Sequence, residues 1–300
     1  MRIGTRRSAL ALAQAELVAR LLGDDCELVP MSSSGDQDAT TGDKSRWVGE
    51  LERALLAGDI DLAVHSAKDV PGEQLDGLRL LGAPLRAAAE DMLCGAPSLE
   101  ALPAGSRVGT SSLRRAAQLR AAREDLEVVG LRGNVDTRLK RLDQGADGIA
   151  AIVLARAGLD RLGLEPEPRA VLAAERFVPA PGQGVLVIQG RTGDQGAAGR
   201  VRAITDEASF ACLRAERALA ADLGATCNTP IGAYARAAPG GRLTLAGWVG
   251  VPDGSVWAGD RRDGDGTDPE RLGREVADRL RAVGAEEMLR TAESEAGVDL

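Results

Sequence analysis

The stretch Asp61-Leu62-Ala63-Val64-His65-Ser66-Ala67-Lys68-Asp69-Val70-Pro71 decides the fold class. Its first half is a largely apolar run, short enough for a strand buried on both faces, as the inner strands of a parallel sheet are. Its second half is a polar turn in which Pro71 prevents a tidy helical continuation. Upstream, Arg2-Ile3-Gly4 reads as a strand entering a Thr/Ser-rich turn. Ser8 is placed to cap a helix with Leu10, Ala13, Leu17 and Leu21 on its apolar face. Glu27–Met31 reads as a strand, and Trp47–Ala57 as a helix stopped by Gly58. Strand–helix alternation of this kind argues for an α/β sheet.

A second unit of the same pattern lies downstream. Met92-Leu93-Cys94 reads as a strand, followed by a Pro/Gly-containing connector, 95–105. Val108-Gly109-Thr110 is strand-like, Ser111 or Ser112 can cap a Leu113–Ala122 helix, and Val128–Leu131 is the next strand. Asn134–Leu142 reads as helical, and Ile149–Leu154 is the most strand-like run in the chain. Residues 178–184, with two prolines and two glycines, read as a crossing between units, ahead of a buried strand at Val185–Ile188. Thr205–Leu223 reads as one long helix with Ala208, Cys212, Ala215 and Leu219 along a face. Three strand-like runs then follow (231–236, 243–251, 255–260), with a helix from Pro269 to about Val283, which makes the tail an α+β domain.

Composition narrows the classes of function. At 300 residues the expectation is two or three domains. No run approaches the ~20 apolar residues of a membrane helix, and Met1–Arg7 has no secretory-signal pattern, so a cytoplasmic protein is expected. Aromatic residues make up only 2%, too few for the stacking platforms that single-stranded nucleic acid requires. Cys26, Cys94, Cys212 and Cys227 form no C-x-x-C pair and His65 is the only histidine, so no Cys/His metal site is expected. The net charge is −8, yet residues 105–141 hold nine Lys/Arg against four acids. A local positive surface on an acidic chain suits a small anionic ligand better than a duplex.

Three strand-to-helix turns carry the candidate chemistry: Thr5-Arg6-Arg7-Ser8, Val108 through Arg115, and Leu131 through Arg138. Each combines arginine with a serine or threonine where backbone N–H groups converge, which suits a carboxylate or phosphate. Any one of them alone reads as an ordinary capped helix with solvated arginines, and it is the three together that point to an anionic ligand. None has the G-x-x-x-x-G-K-[ST] spacing of a nucleotide phosphate loop. Asp69, at a strand end where α/β sheets place ligands, either accepts N–H groups and offsets cationic charge or is a turn aspartate beside Lys68. His65 lies among apolar residues and reads as a buried, hydrogen-bonded structural histidine. Cys227, in the loop Gly224–Gly232, reads as a free thiol or as an attachment site, the two standing even.

Taken together, the chain resembles the porphobilinogen deaminase (hydroxymethylbilane synthase) family. The matching strings are Gly4-Thr5-Arg6-x-Ser8-x-Leu10-Ala11, Ala63-Val64-His65-Ser66-x-Lys68-Asp69-Val70-Pro71, Val108–Arg115, Leu131–Leu139, Pro181-Gly182-Gln183-Gly184 and Cys227-x-x-Pro230-Ile231-Gly232, in family order. The resemblance implies two α/β domains like those of periplasmic binding proteins enclosing a cleft, plus a smaller C-terminal α+β domain. The expected division is 1–84 with 185–203, 85–184, and 207–300. It further implies a dipyrromethane cofactor in thioether linkage to Cys227, onto which four porphobilinogen units are condensed with loss of ammonia before hydrolysis releases hydroxymethylbilane. Asp69 is then the catalytic residue. Cys227, Lys68, Asp69, Ser111, Arg114 and Arg115 hold the cofactor. Arg6, Ser8, Thr110, Ser112, Arg132, Arg138 and Gln183 bind substrate. A monomer with no nucleic-acid or membrane partner is the family expectation.

Two features depart from the family pattern. The segment between Asp36 and Glu50 is shortened to Gln37–Gly49, with Trp47 in place of a phenylalanine and Lys44 or Arg46 as a basic group. Gln189 stands where relatives often carry glutamate, and the sequence offers no physical reason. A pyrrole- or carboxylate-binding homologue without polymerising activity is the alternative, against which the retained Asp69 and Cys227 count.

Overall fold

A computed structural model describes residues 1–31, 45–226 and 229–298. Strand β1 (Arg2–Arg6) runs parallel to β2 (Glu27–Met31) and β3 (Leu62–Ser66), with α1 (Ala9–Leu22) joining the first two and α2 (Ser45–Ala57) preceding the third. Leu62, Ala63 and Val64 of β3 are buried, as their unbroken apolar run requires. A short 3-10 turn, Ala67–Asp69, follows, and then β4 (Leu78–Gly82).

The chain next crosses into a second sheet built from β5 (Asp91–Cys94), β6 (Arg107–Gly109), α3 (Leu113–Ala122), β7 (Glu127–Val129), α4 (Val135–Asp143), β8 (Ile149–Ala155), α5 (Arg156–Leu162) and β9 (Arg169–Leu172). It returns as β10 (Leu186–Arg191), which enters the first sheet between β3 and β4 and runs antiparallel to both. The two five-stranded orders, β2-β1-β3-β10-β4 and β7-β6-β8-β5-β9, correspond strand for strand. In each, three parallel strands are followed by an antiparallel strand supplied by the chain just after it crosses.

The crossings lie backbone against backbone, with Ala87 N donating to Gly184 O at 3.2 Å, and the second also meets the Ala67–Asp69 turn, where Ala67 N donates to Val185 O at 3.0 Å. Gly184 has φ +84°, and a Cβ there would sit 2.6 Å from the Ala87 carbonyl oxygen. Only glycine meets both constraints.

After α6 (Gln195–Ile204) and α7 (Glu207–Asp222), strands β11 (Ile231–Ala238), β12 (Arg242–Gly250) and β13 (Trp257–Asp265) form a three-stranded antiparallel sheet, closed by α8 (Pro269–Ala282) and α9 (Ala285–Val298). Its core joins Cys212, Ala215 and Leu219 of α7 to Leu245, Val249, Val276 and Leu280. Trp248 packs on Ala117 of α3 and Val178 of the second crossing, which seats this sheet against the second one.

The expected Thr205–Leu223 helix is broken at its start. Thr205 is extended, and Asp206 caps α7 by accepting the Ser209 N–H at 2.7 Å. On α1 the buried face is Gln14, Ala15 and Val18, while Leu21 is 49% exposed. Residues 9–13 are apolar on every side, so their period does not choose a face, and α1 packs on the sheet, on α5 and on α6 at once.

Candidate active site

The Arg-bearing turns and the Lys68–Asp69 turn all lie at or just beyond the C-terminal ends of parallel strands, where open α/β sheets hold ligands. On the first-sheet side a cavity of about 100 Å³ is lined by Arg6 and Ser8 from the β1–α1 turn and by His65, Ser66, Lys68 and Asp69 from β3 and its turn. Leu10, Val48, Leu51 and Val64 supply its apolar wall. Asp69 is the only acid among these lining residues. Ser8 also caps α1, its Oγ accepting the Ala11 N–H at 3.3 Å.

On the second-sheet side Arg114 and Arg115 are buried and converge on one buried carboxylate, Asp91. Arg114 Nη2 donates to Oδ2 at 2.9 Å, and Arg115 Nη2 and Nε donate to Oδ1 at 2.7 and 3.0 Å. Burial pushes the Asp91 carboxyl up, but the two guanidiniums more than offset this and hold it far below the usual carboxylate range. Burial lowers the pKa of Arg114, and neighbouring Arg115 lowers it further while Asp91 opposes the shift. Two guanidiniums against one carboxylate leave net positive charge in the interior, and Arg114 Nε is buried with no acceptor. Such a cluster calls for a further anion.

Gln183 joins the two sides. It is fully buried, and its Nε2 donates to Ala89 O at 2.7 Å and Asp91 Oδ1 at 2.8 Å. Its Oε1 accepts from Lys68 Nζ at 3.3 Å and from Arg115 Nη2 at 3.5 Å. Arg138 is half-buried, with Nε donating to Gly133 O at 2.7 Å. Burial lowers its pKa, Arg115 adds to the drop, and Asp69 opposes it, so Arg138 lies within electrostatic reach of both sides. Thr110 is buried and its Oγ1 accepts the Ser112 N–H at 3.2 Å, while Ser112 Oγ caps α3 by accepting the Arg115 N–H at 3.4 Å. Ser111 and Arg132 are exposed on the same side.

Cys227 lies outside the described residues, as do 37–44 and the side chains of Arg46 and Trp47. Thr226 and Thr229, on either side of Cys227 and Asn228, are joined by Thr226 N to Thr229 Oγ1 at 3.0 Å and by Thr229 Oγ1 to Thr226 O at 2.8 Å. Burial raises the thiols of Cys94 and Cys212 to about 12 and about 11, which keeps both as inert thiols. Among the described residues no three His, Cys, Asp or Glu side chains converge as a metal site requires, and no helix is long and apolar enough to cross a membrane.

Some partners escape sequence reasoning. Asp91 shows there only as an acid opening an otherwise apolar strand. Glu216, fully buried on α7, accepts from Arg86 Nη1 at 2.5 Å, Gly182 N at 2.7 Å and Ala235 N at 2.7 Å, tying both crossings to the third sheet. Its one signal is an acid one turn beyond Cys212 on the apolar face. Gln189, unexplained by sequence, bridges His65 to Glu52: its Oε1 lies 3.1 Å from His65 Nε2 and its Nε2 donates to Glu52 Oε1 at 2.9 Å. An amide suits this place because one end accepts while the other donates.

Residues 1–198 match the family model described as "Porphobilinogen deaminase, dipyromethane cofactor binding domain", and residues 210–282 match that of the "Porphobilinogen deaminase, C-terminal domain". A porphobilinogen deaminase of Thiobacillus denitrificans is 46% identical over 299 residues, covering 96% of this chain and 97% of that one. Another from Xanthomonas euvesicatoria is 47% identical over 304 residues, with 96% and 98% covered. A third, from Roseiflexus sp., is 42% identical over 299 residues, with 96% and 97% covered. The methionine binding protein MetQ aligns over 68% of this chain and 89% of its own with TM-score 0.43 at 19% identity.

Proposed function

Because the chain belongs to the porphobilinogen deaminase family, we propose that the cavity beside Asp69 is where porphobilinogen loses ammonia and is joined to the growing chain. The enzyme is a transferase, hydroxymethylbilane synthase, which condenses four porphobilinogen units onto dipyrromethane and releases hydroxymethylbilane by hydrolysis. Cys227 would hold the dipyrromethane through a thioether, and that group would supply the pyrrole α-carbon that is extended.

The donor set fits such a group. Each pyrrole unit bears two carboxylates and an N–H, and the site offers guanidiniums, an ammonium, hydroxyls and, on the cavity itself, the Asp69 carboxylate. Asp69 accepts the pyrrole N–H groups and offsets the positive charge that develops as ammonia leaves, in a cavity whose other charged lining residues, Arg6 and Lys68, are cations. Lys68, Ser111, Arg114 and Arg115 take the cofactor's carboxylates, with the surplus charge around Asp91 drawing them in. Arg6, Ser8, Thr110, Ser112, Arg132, Arg138 and Gln183 orient the incoming substrate. Burial lowers the His65 pKa to about 4, so the ring stands as a neutral imidazole with its Nε2 3.1 Å from Gln189 Oε1. In this reading residues 1–84 with 185–203, 85–184 and 207–300 are three domains of a cytoplasmic monomer, which light scattering on the purified protein tests.

The observation that carries the reading is the single carboxylate, Asp69, in a cavity otherwise lined by two cations, neutral polar groups and apolar side chains. Asp69→Asn keeps the shape and removes the charge, and turnover should fall about 10²-fold or more. Near-normal turnover would refute the role. Peptide mapping of the intact holoenzyme should place the mass of two deaminated porphobilinogen units on Cys227, and the same mass on another residue would overturn the attachment.

A further inference from the structure

Helix α7 presents one stripe to the segment carrying Asp69. Phe210 and Leu213 pack with Ala67, Val70 and Val185. One turn further along, Arg217 faces three successive carbonyls. Its Nη1 donates to Val70 O at 3.0 Å, and its Nη2 to Pro71 O at 2.5 Å and to Gly72 O at 3.0 Å. Gln74 Nε2 adds a contact to Pro71 O at 3.3 Å.

Three consecutive carbonyls aimed at one point repel one another as dipoles, and without a cation between them the segment would relax. A guanidinium is suited to the place because its planar fork holds several acceptors at fixed angles. Among the described residues Arg217 has no carboxylate partner, and burial lowers its pKa, so its charge is offset by these carbonyls. Such an arginine does something more specific than decorate a surface.

Resting on the role of Asp69 given above, we propose that Arg217 is a positioning residue. Its grip on residues 70–72 fixes the Ala67–Asp69 turn, so that the Asp69 carboxylate stays on the cavity. The neighbouring residue, Glu216, holds Gly182 of the second crossing through its backbone N–H at 2.7 Å. One turn of α7 thus grips both the crossing and the catalytic turn, and Cys227 follows only five residues beyond the helix end at Asp222. The guanidinium sets where Asp69 stands relative to the element that leads into the attachment loop.

The test uses holoenzyme, with cofactor occupancy fixed by intact mass, and the variants Arg217→Met and Arg217→Lys. For Arg217→Met, kcat per cofactor-loaded molecule should fall on the order of 10- to 100-fold, the cost of a catalytic group displaced by about an ångström. KM should stay within about threefold, because Arg217 touches no substrate. Arg217→Lys, which keeps the charge but not the fork, should recover part of the loss, and it carries the test should the methionine variant not fold. Hydrogen exchange in residues 66–74 should quicken in both. Combined with Asp69→Asn, the Arg217→Met loss should shrink to less than about threefold, since a misplaced group already stripped of its charge has little left to lose. An unchanged kcat for Arg217→Met, or a loss that multiplies in full with that of Asp69→Asn, overturns the proposal while leaving the role of Asp69 intact. Near-normal turnover by Asp69→Asn itself is instead the failure of the underlying assignment.

Discussion

Gln189 donates its side-chain N–H to Glu52 at 2.9 Å, a buried amide–carboxylate contact between the first sheet and α2. A glutamate at 189 would replace that donor with a second carboxylate, and two carboxylates at this spacing cannot both ionise in the interior. One of them takes a raised pKa. The unfolded chain releases its proton near pH 4.3, so each step in pH above that value favours unfolding until the folded group ionises too. Gln189→Glu should therefore cost about 2–4 kcal/mol at pH 8 and much less at pH 5. Urea unfolding at both pH values checks this, and an equal loss at the two would show that no proton is shared.

Asp91→Asn leaves Arg114 and Arg115 buried without their common counter-ion, at a cost of about 3–5 kcal/mol. The parent's Asp91 pKa is depressed in the fold. Its contribution is thus present above the unfolded value of about 3.9 and lost as pH falls through and below it. The variant's stability should change less steeply than the parent's between about pH 5 and 2, which denaturant midpoints across that range would reveal.

His65 has its pKa lowered by burial from 6.5 to about 4, against the opposing pull of Gln189 and Asp69. The unfolded histidine binds a proton first, so stability is full above pH 6.5 and declines as pH falls to about 4. The size of that decline is up to ~3 kcal/mol. His65→Gln keeps a polar partner for Gln189 and removes the titration, so the drop in melting temperature between pH 7 and pH 4.5 should shrink. An undiminished drop would assign the acid sensitivity elsewhere.

Gly184→Ala combines a positive φ with a Cβ only 2.6 Å from Ala87 O and 2.8 Å from Ala88 O, both backbone atoms that cannot swing aside. A loss above ~2 kcal/mol is expected. Gly163→Ala, at φ +63° with nothing within 4 Å of the new Cβ, should cost only ~1 kcal/mol. The difference between the two melting temperatures isolates the crossing's close approach from backbone strain.

What could be read from sequence was local. The apolar run of β3, the Ser8 cap and the Arg-bearing turns each announce themselves within a few residues, and of the two serines that could cap α3 it is Ser112 that does. The counter-ions could not be read. Asp91 meets Arg114 and Arg115 only 23 and 24 residues away, yet it meets Gln183 at a separation of 92. Gln189 meets Glu52 at a separation of 137. Pairings of that kind follow from which strands become neighbours, and no periodicity encodes them. The short helix α5 and strand β9 are not legible in the sequence, because seven and four residues give too few turns or alternations to show a period. Helix α1 misled in the opposite way, with too many apolar positions to name one face.

The placement of β10 sets an order of events during synthesis. A ribosome delivers β3 and β4 early, yet the strand that lies between them arrives only with residues 186–191. The strands of the second sheet span residues 91–172 and are all present before then. At ~5–20 residues per second, the first sheet waits on the order of ten seconds with two unpaired strand edges open to wrong partners. The part of the molecule that is made first is finished second, and in that interval a chaperone or a slow codon has the most influence on yield.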